Sequence, residues 1–266
     1  MPCQICGGAA RTVLQKEFNV SCGDYFVGRR LFATDVGRLD LHECVQCGFG
    51  YFPAMQAWAE ATYRADIYND DYHLCDQPFL GERPRKLAAW LGAILAPCEL
   101  IDYGGGQGLL AECLNNQGFN ARSCDPFYGS SRVAVGQADV VTAFELVEHV
   151  PDQRGLFMDL KSLCKPHGLI IFSTLLKQPV LDHGDWWYAA PRNGHVSMHA
   201  ADSLKRITSA VGLCCRSLST EVHVAWNATD GVAPSFGWPV VLINETPRFA
   251  FSDGWSQMVA GAKIVA

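Results

Sequence analysis

The chain has no apolar stretch that approaches the roughly 20 residues needed to cross a bilayer. Its opening, Met1-Pro2-Cys3-Gln4, lacks the cationic and then apolar run of a secretory signal, so a soluble, cytoplasmic protein is expected. A surplus of positive charge is also missing: 21 Lys and Arg stand against 27 Asp and Glu, a formal net charge of −6. Polyanions are bound by clustered cations whose charge displaces counterions, which makes nucleic acid an unlikely partner. There is no internal repeat and no low-complexity tract, which excludes solenoids and compositionally biased linkers.

Cysteine is plentiful, with 12 in 266 residues. Most sit singly in apolar segments, as reduced core residues do, and a reducing compartment follows. Four of them form two pairs, Cys3-Gln4-Ile5-Cys6-Gly7 and Cys44-Val45-Gln46-Cys47-Gly48. Each such turn presents two thiolates to one tetrahedral ion, so Cys3, Cys6, Cys44 and Cys47 are expected to hold a structural Zn2+. A redox dithiol is the weaker reading, because there are two pairs and neither lies in a βαβ pattern. His42 and Cys22 are substitute ligands. The segment from Gly7 to Glu43 is longer than a simple ribbon needs, so it should contain a small sheet or loop. Residues 1 to 50 balance five cations (Arg11, Lys16, Arg29, Arg30, Arg38) against five anions (Glu17, Asp24, Asp35, Asp40, Glu43), so this module has no basic footprint.

The second concentrated signal is Leu100-Ile101-Asp102-Tyr103-Gly104-Gly105-Gly106-Gln107-Gly108. A short apolar strand runs into a glycine turn and then into a helix expected from Leu109 to about Gln117, ended by Gly118. Glycine lets the backbone turn sharply and approach a ligand where a Cβ would collide. A dinucleotide fingerprint places glycine at the first, third and sixth positions; counted from Gly104, the sixth is Leu109. Asp102, two places before the turn, would repel a pyrophosphate and attract a cation. The spacing therefore favours a positively charged, phosphate-free cofactor. The next apolar segment, Phe119 to Cys124, ends in Asp125, at the ~20-residue separation from which an acid reaches ribose hydroxyls.

Three parts are expected: a zinc-binding module over residues 1–53, a linker and cap segment over 54–84 rich in tyrosine and acids, and a catalytic domain over 85–266. A helix shows one apolar face through Leu87, Trp90, Leu91, Ile94 and Leu95. Beyond Glu99, short apolar strands (Glu99–Tyr103, Ala138–Ala143, Leu169–Thr174) alternate with helical stretches. That is the pattern of an α/β fold with a doubly wound parallel sheet. Asp202 is expected to cap a helix over Ser203 to Ala210, followed by strands at Leu213–Val224 and Val240–Asn244.

After the Ala138 strand comes Phe144-Glu145-Leu146-Val147-Glu148-His149-Val150-Pro151. It reads as about one and a half helical turns, with Glu145 and His149 four apart on one face and Pro151 ending it. Ligands bind at the carboxyl ends of strands in open α/β sheets, so this face should look into the site. A third cluster, Asp185-Trp186-Trp187-Tyr188, leads to Arg192-Asn193-Gly194-His195. Three successive aromatics are hard to bury on one face and suit a pocket wall or lid. His149 and His195 are the candidate bases, each with the bland alternative of ordering its own loop.

Asp102 with the glycines and Asp125 resembles motif I and the following acidic position of the class I S-adenosylmethionine (SAM) methyltransferases. The Glu-x-x-Glu-His phrase at Glu145 to His149 is similar to the group that includes ubiquinone-pathway O-methyltransferases, as is the turn Lys165-Pro166-His167-Gly168. Taken with the two Cys-x-x-Cys-Gly pairs, Ile67 to Tyr72, Asp125-Pro126 and Trp186 to Ser197, the whole resembles methyltransferases that carry an N-terminal zinc-binding domain, among them the deoxysugar C-methyltransferases. The departure from the sugar enzymes is the short remainder after Gly212. The resemblance implies a Rossmann-like methyltransferase sheet and SAM as cofactor. Asp102, Gly104, Gly105, Gly106, Asp125, Pro126, Phe144 and Glu145 would bind it, and Arg83 or Arg85 would meet its carboxylate. The expected reaction is O- or C-methylation of a small polar or sugar-like acceptor, with His149 or His195 as base. The acceptor would lie between the zinc module and Trp186 to Tyr188, within reach of Tyr68 and Tyr72. An RNA-modifying methyltransferase and, less favoured, a NAD-dependent oxidoreductase are the alternatives.

Overall fold

Two sheets organise the chain in the computed structural model, which describes residues 2–34, 37–75, 81–125, 134–177 and 186–230. They belong to two units. One comprises Met1–Gln77, Glu145–Asp159 and Ser173–Cys215; the other comprises Pro78–Phe144, Leu160–Phe172 and Arg216–Ala266.

In the first unit, β1 (Ala10–Glu17) and β2 (Arg38–Cys44) pair antiparallel, and β2 pairs with β3 (Gly50–Tyr51). The segment between the cysteine pairs thus forms the small sheet expected of it. Helix α1 (Cys22–Val27) interrupts it, its start fixed by reciprocal bonds between Ser21 and Asp24 and its end by Gly28 in the left-handed region. Short helices α2 (Pro53–Gln56), α3 (Glu60–Asp66) and α4 (Tyr72–Cys75) follow.

The second unit opens with α5 (Glu82–Ile94), which buries Leu87, Ala88, Trp90 and Leu91, the face its periodicity predicts. Strands β4 (Glu99–Tyr103), β5 (Asn120–Cys124), β6 (Ala138–Ala143) and β7 (Cys164–Ser173) pair in parallel, β4 lying between β5 and β6 and β6 between β4 and β7. Helix α6 (Leu109–Asn115) crosses from β4 to β5. Leu91, Leu114, Val140 and Ile171, from two helices and two strands, meet in one core. Each is almost wholly buried, so truncating Leu91 to alanine would cost about 2 to 5 kcal/mol. Strand β7 starts five residues before the expected Leu169. The Pro166-His167-Gly168 turn lies within it as an irregularity, because Cys164 faces Ala138 while Leu169 already faces Val140.

The first unit gains an element from far along the chain. Strand β8 (Ser197–Met198) pairs antiparallel with β3, with Gly50 opposite Met198 and Tyr51 opposite Ser197. Helix α7 (Gln153–Leu163) precedes β7, and α8 (Ala201–Ala210) follows β8. Asp202 does not cap α8. The Ser203 hydroxyl takes the Ala200 N–H at 3.0 Å, while Asp202 pairs with Arg206 at 2.7 Å one turn on. The expected single strand over Leu213–Val224 is two, β9 (Leu213–Ser217) and β10 (Val222–Asn227), split where Leu218 and Ser219 both donate to the Val222 carbonyl. They complete the parallel-based sheet in the order β5-β4-β6-β7-β10-β9. The expected strand Val240–Asn244 lies outside the described residues, as do Pro126 and Asp185. Among the described residues no helix is long and apolar enough to cross a membrane.

Candidate functional site

Strand β4 delivers Asp102 to the floor of the glycine turn. Gly104, Gly106 and Gly108 have φ of 76°, 57° and 84°, a region closed to most side chains. Gly105 is required for a different reason, since a Cβ there would lie 2.1 Å from Asp102 Oδ2. Asp102 is buried and accepts the Thr142 hydroxyl at 2.8 Å. Burial pushes its carboxyl up to about 7; the Thr142 bond opposes that shift and the nearby Asp125 charge adds to it. Asp125, at the end of β5, accepts the Gly106 N–H at 2.9 Å. Asp102 thus lies beneath Gly105 and Asp125 bonds Gly106, adjacent positions of one glycine turn. Phe144 follows β6 with its ring edge-on to Trp90 at 6.3 Å, inside the core of this unit. Arg83 is buried on α5, and Arg85 donates to the Gly81 carbonyl.

Glu145 corrects the helical reading of the phrase that follows Phe144. Its φ is +51°, the one left-handed value outside glycine among the described residues, and the helical turn is a tight 3-10 turn over Val147–His149. Glu145 therefore does not share a helix face with His149. Ser173 holds it instead, accepting its N–H and donating to its Oε1, both at 2.7 Å.

Glu148, fully buried, faces inward in the same unit. Burial first and the Glu145 charge second raise its carboxyl to about 8, with the Tyr188 and Thr174 hydroxyls pulling the other way. One ligand atom each of Glu148, His149 and His195 lies within 4.8 Å of the others, a set able to hold either a proton or a cation. The two imidazoles meet edge to face at 4.8 Å. His195 Nδ1 donates to the Tyr188 carbonyl at 2.7 Å, and that bond leaves Nε2 as the acceptor of the ring. Gly194, with φ of 84°, is what lets these groups close up: a Cβ there would sit 3.3 Å from His149 Nδ1 and 3.4 Å from the Tyr68 hydroxyl. Tyr68 in turn packs edge-on against Tyr72 at 5.1 Å. Trp186 and Tyr188 are buried, while Trp187 stacks on the exposed Tyr25 at 5.6 Å.

The four paired cysteines converge. Cys3 and Cys47 sulfurs are 3.7 Å apart, Cys6 and Cys44 sulfurs 3.4 Å apart, and all four thiols are free. A tetrahedral ion with sulfur at about 2.3 Å needs S–S edges of about 3.8 Å, so the set fits zinc. The substitutes do not take part. His42 Nε2 lies 3.1 Å from the Thr12 hydroxyl, and Cys22 packs 4.0 Å from His195.

Sequence reasoning missed the knot that ties this unit together. Buried Arg192 donates to the Ile67 carbonyl at 3.0 Å and to Asn69 at 2.9 Å, and Asn193 accepts the Cys22 N–H at 2.7 Å. An arginine and an asparagine beside a glycine look like an ordinary loop; only long-range partners reveal them. Thr142 and Ser173 were missed for the same reason, being single hydroxyls inside apolar strands.

Residues 77–218 match a family model described as a methyltransferase domain. Ubiquinone biosynthesis O-methyltransferase of Acinetobacter baumannii is 29% identical over 111 residues, covering 32% of this chain and 47% of the relative. That of Colwellia psychrerythraea is 34% identical over 104 residues, covering 30% and 42%. The chain spans about half the length of the curated relatives it matches. Among solved structures, an O-methyltransferase family protein from Burkholderia thailandensis shows 15% identity and a TM-score of 0.48, covering 62% of this chain and 63% of that one. The 1,6-didemethyltoxoflavin-N1-methyltransferase of the same organism shows 13% identity and a TM-score of 0.46, covering 68% and 94%.

Proposed function

The chain belongs to the methyltransferase-domain family, the class I SAM-dependent methyltransferases, and from that premise we propose that it methylates a small polar or sugar-like acceptor at oxygen or carbon. The observation that carries the cofactor half is the pair of acids on the glycine turn, Asp102 beneath Gly105 and Asp125 on Gly106. SAM supplies an electrophilic methyl group on a sulfonium. It bears a net positive charge and no phosphate, which suits a turn floored by a carboxylate. Asp125 would hold the ribose hydroxyls, Asp102 would serve the ammonium group through water or backbone, and Gly104 and Gly106 would lie against the methionyl chain. Pro126, Phe144 and Glu145 complete the proposed cofactor set, with Arg83 or Arg85 for the carboxylate.

Methyl transfer needs alignment of donor and acceptor and, for a hydroxyl or an acidic carbon, removal of a proton. His195 has the requisite Nε2, its tautomer fixed by the Tyr188 carbonyl; His149 lies against it. The curated relatives are named for O-methylation, which favours a hydroxyl acceptor. Cys3, Cys6, Cys44 and Cys47 hold zinc in a structural role, because four thiolates leave no open position. The module they staple shares a sheet with β8, two residues past His195, so it is suited to wall the acceptor against Trp186 to Tyr188. Methylation assays on hydroxylated and sugar-like acceptors, with RNA as the competing substrate, test this reading: salt-sensitive RNA binding together with RNA methylation would replace it.

A further inference from the structure

We propose that Gln153 is a positioning residue for the acid–base pair, capping the 3-10 turn that presents Glu148 and His149 and tying it to the cysteine module. The proposal rests on the reading above, in which His149 or His195 takes the acceptor's proton, and every residue it uses belongs to the first unit. The turn over Val147–His149 cannot grow into a longer helix, because Pro151 has no N–H to continue it. The carbonyls at its end need donors from elsewhere. Val147 is wholly buried, and the Val150 N–H reaches its carbonyl only at 3.4 Å.

Gln153 supplies those donors. Its Nε2 donates to the Val147 carbonyl at 2.8 Å and to the Val150 carbonyl at 2.5 Å, which uses both amide protons. Only the NH2 end can face two carbonyls, so Oε1 points the other way and accepts the His199 Nε2–H at 2.9 Å. The side chain is fully buried, and a buried amide with both ends engaged holds its neighbours in one arrangement. Two contacts lead from it to the cysteine module. The Gln153 N–H meets Oε1 of Gln4, inside the Cys3–Cys6 turn, at 3.4 Å. His199 packs at 5.0 Å against Phe49, which shares a cluster with Cys3, Cys44 and Cys47. Toward His195, the Glu148 carbonyl accepts the Val196 N–H at 2.8 Å, and the Ser197 hydroxyl donates to the Val150 carbonyl at 2.9 Å. One set of bonds, with Gln153 at its centre, thus holds the turn bearing His149 against the strand that follows His195. Position matters to a proton-taking group, since a displacement of about 1 Å can cost on the order of 10²-fold in rate.

The test compares the full chain with Gln153→Met, which keeps the length and loses the side-chain bonds, and with Gln153→Glu, which keeps the acceptor toward His199 and loses both donors. Side-chain NMR of the imidazoles needs no acceptor. Both variants should move the ring signals of His149 and His195 and leave those of His167 and His223, in the second unit, in place. A glutamine that only stabilised the fold would lower Tm and leave all four signals unmoved. With a hydroxylated acceptor that the wild type turns over, kcat should fall about tenfold or more while SAM affinity by calorimetry holds. In whichever of His149→Gln and His195→Gln loses kcat, adding Gln153→Met should cost little more, as expected of a residue that acts through another. Should neither variant fold, Gln153→Asn, with its amide one methylene short of the carbonyls, takes their place in the same measurements. Unmoved His149 and His195 signals, or an unchanged kcat, overturn this inference alone. Wild-type protein that turns over no hydroxylated or sugar-like acceptor overturns the acid–base reading and this role with it.

Discussion

The Nδ1 of His195 donates to the carbonyl oxygen of Tyr188 across 2.7 Å, and the ring packs at a tilt of 54° against that same tyrosine with centroids 4.3 Å apart. A histidine so held has its tautomer chosen for it, with Nε2 left to accept a proton. The expected consequence is that His195→Gln lowers turnover by about 10²-fold or more while SAM affinity changes little. His149→Gln, removing the neighbouring ring, should show which of the two takes the proton: the base loses kcat, the ordering residue loses Tm as well. Steady-state kinetics beside thermal melts separate these outcomes, and equal losses of Tm and activity in both variants would reduce the pair to packing.

Protonation of the two buried carboxyls should be visible as a pH dependence of stability. Asp102 is raised to about 7 and Glu148 to about 8 by burial. A carboxyl whose folded pKa exceeds its unfolded value binds its proton more tightly when folded. Its contribution is complete below the unfolded pKa and is lost as pH rises through the folded one. Stability should therefore fall between about pH 4 and 8 as the two groups lose their protons. Asp102→Asn and Glu148→Gln should each flatten that slope in urea melts at several pH values, whereas an unchanged slope would show that neither carboxyl is protonated in the fold.

Cofactor affinity should move the opposite way. If the Asp102 charge attracts cationic SAM, affinity rises as pH passes upward through about 7, and Asp102→Asn removes the dependence as well as part of the affinity. Isothermal titrations from pH 6 to 8 measure both, and a rise that survives in the variant would acquit Asp102.

Metal content gives an independent check. Purified protein should carry one zinc per chain, and Cys44→Ser or a strong chelator should lower Tm markedly, because binding energy at a four-thiolate site is folding energy. Elemental analysis without zinc, or a disulfide within Cys3–Cys6, would contradict the assignment.

The parallel strands and the glycine turn were legible because they depend on local chemistry: apolar runs, glycine at positions of positive φ, and acids at a fixed separation. Strands β4 and β6 fall where the sequence puts them, and Asp102 and Asp125 meet adjacent positions of one turn. What was illegible depends on partners distant in sequence. Glu145 reads as helical by spacing, and only its bonds to Ser173, 28 residues away, explain the left-handed backbone. The pairing of β3 with β8 joins residues near 50 to residues near 197, and no periodicity announces such a two-residue strand. Asp202 failed as a cap because the helix starts at Ala201, which places Asp202 inside the first turn, and Ala200 stands at the cap with its N–H bonded to Ser203.

The central claim is that the glycine turn lying between Asp102 and Asp125 binds SAM, and one calorimetric comparison tests it most directly. Wild-type protein titrated with SAM and with NAD should bind SAM at micromolar levels and ignore NAD, and Asp125→Ala should weaken SAM by about 1 to 3 kcal/mol through lost ribose hydrogen bonds. Tight NAD binding with no response to SAM would contradict the account at its root.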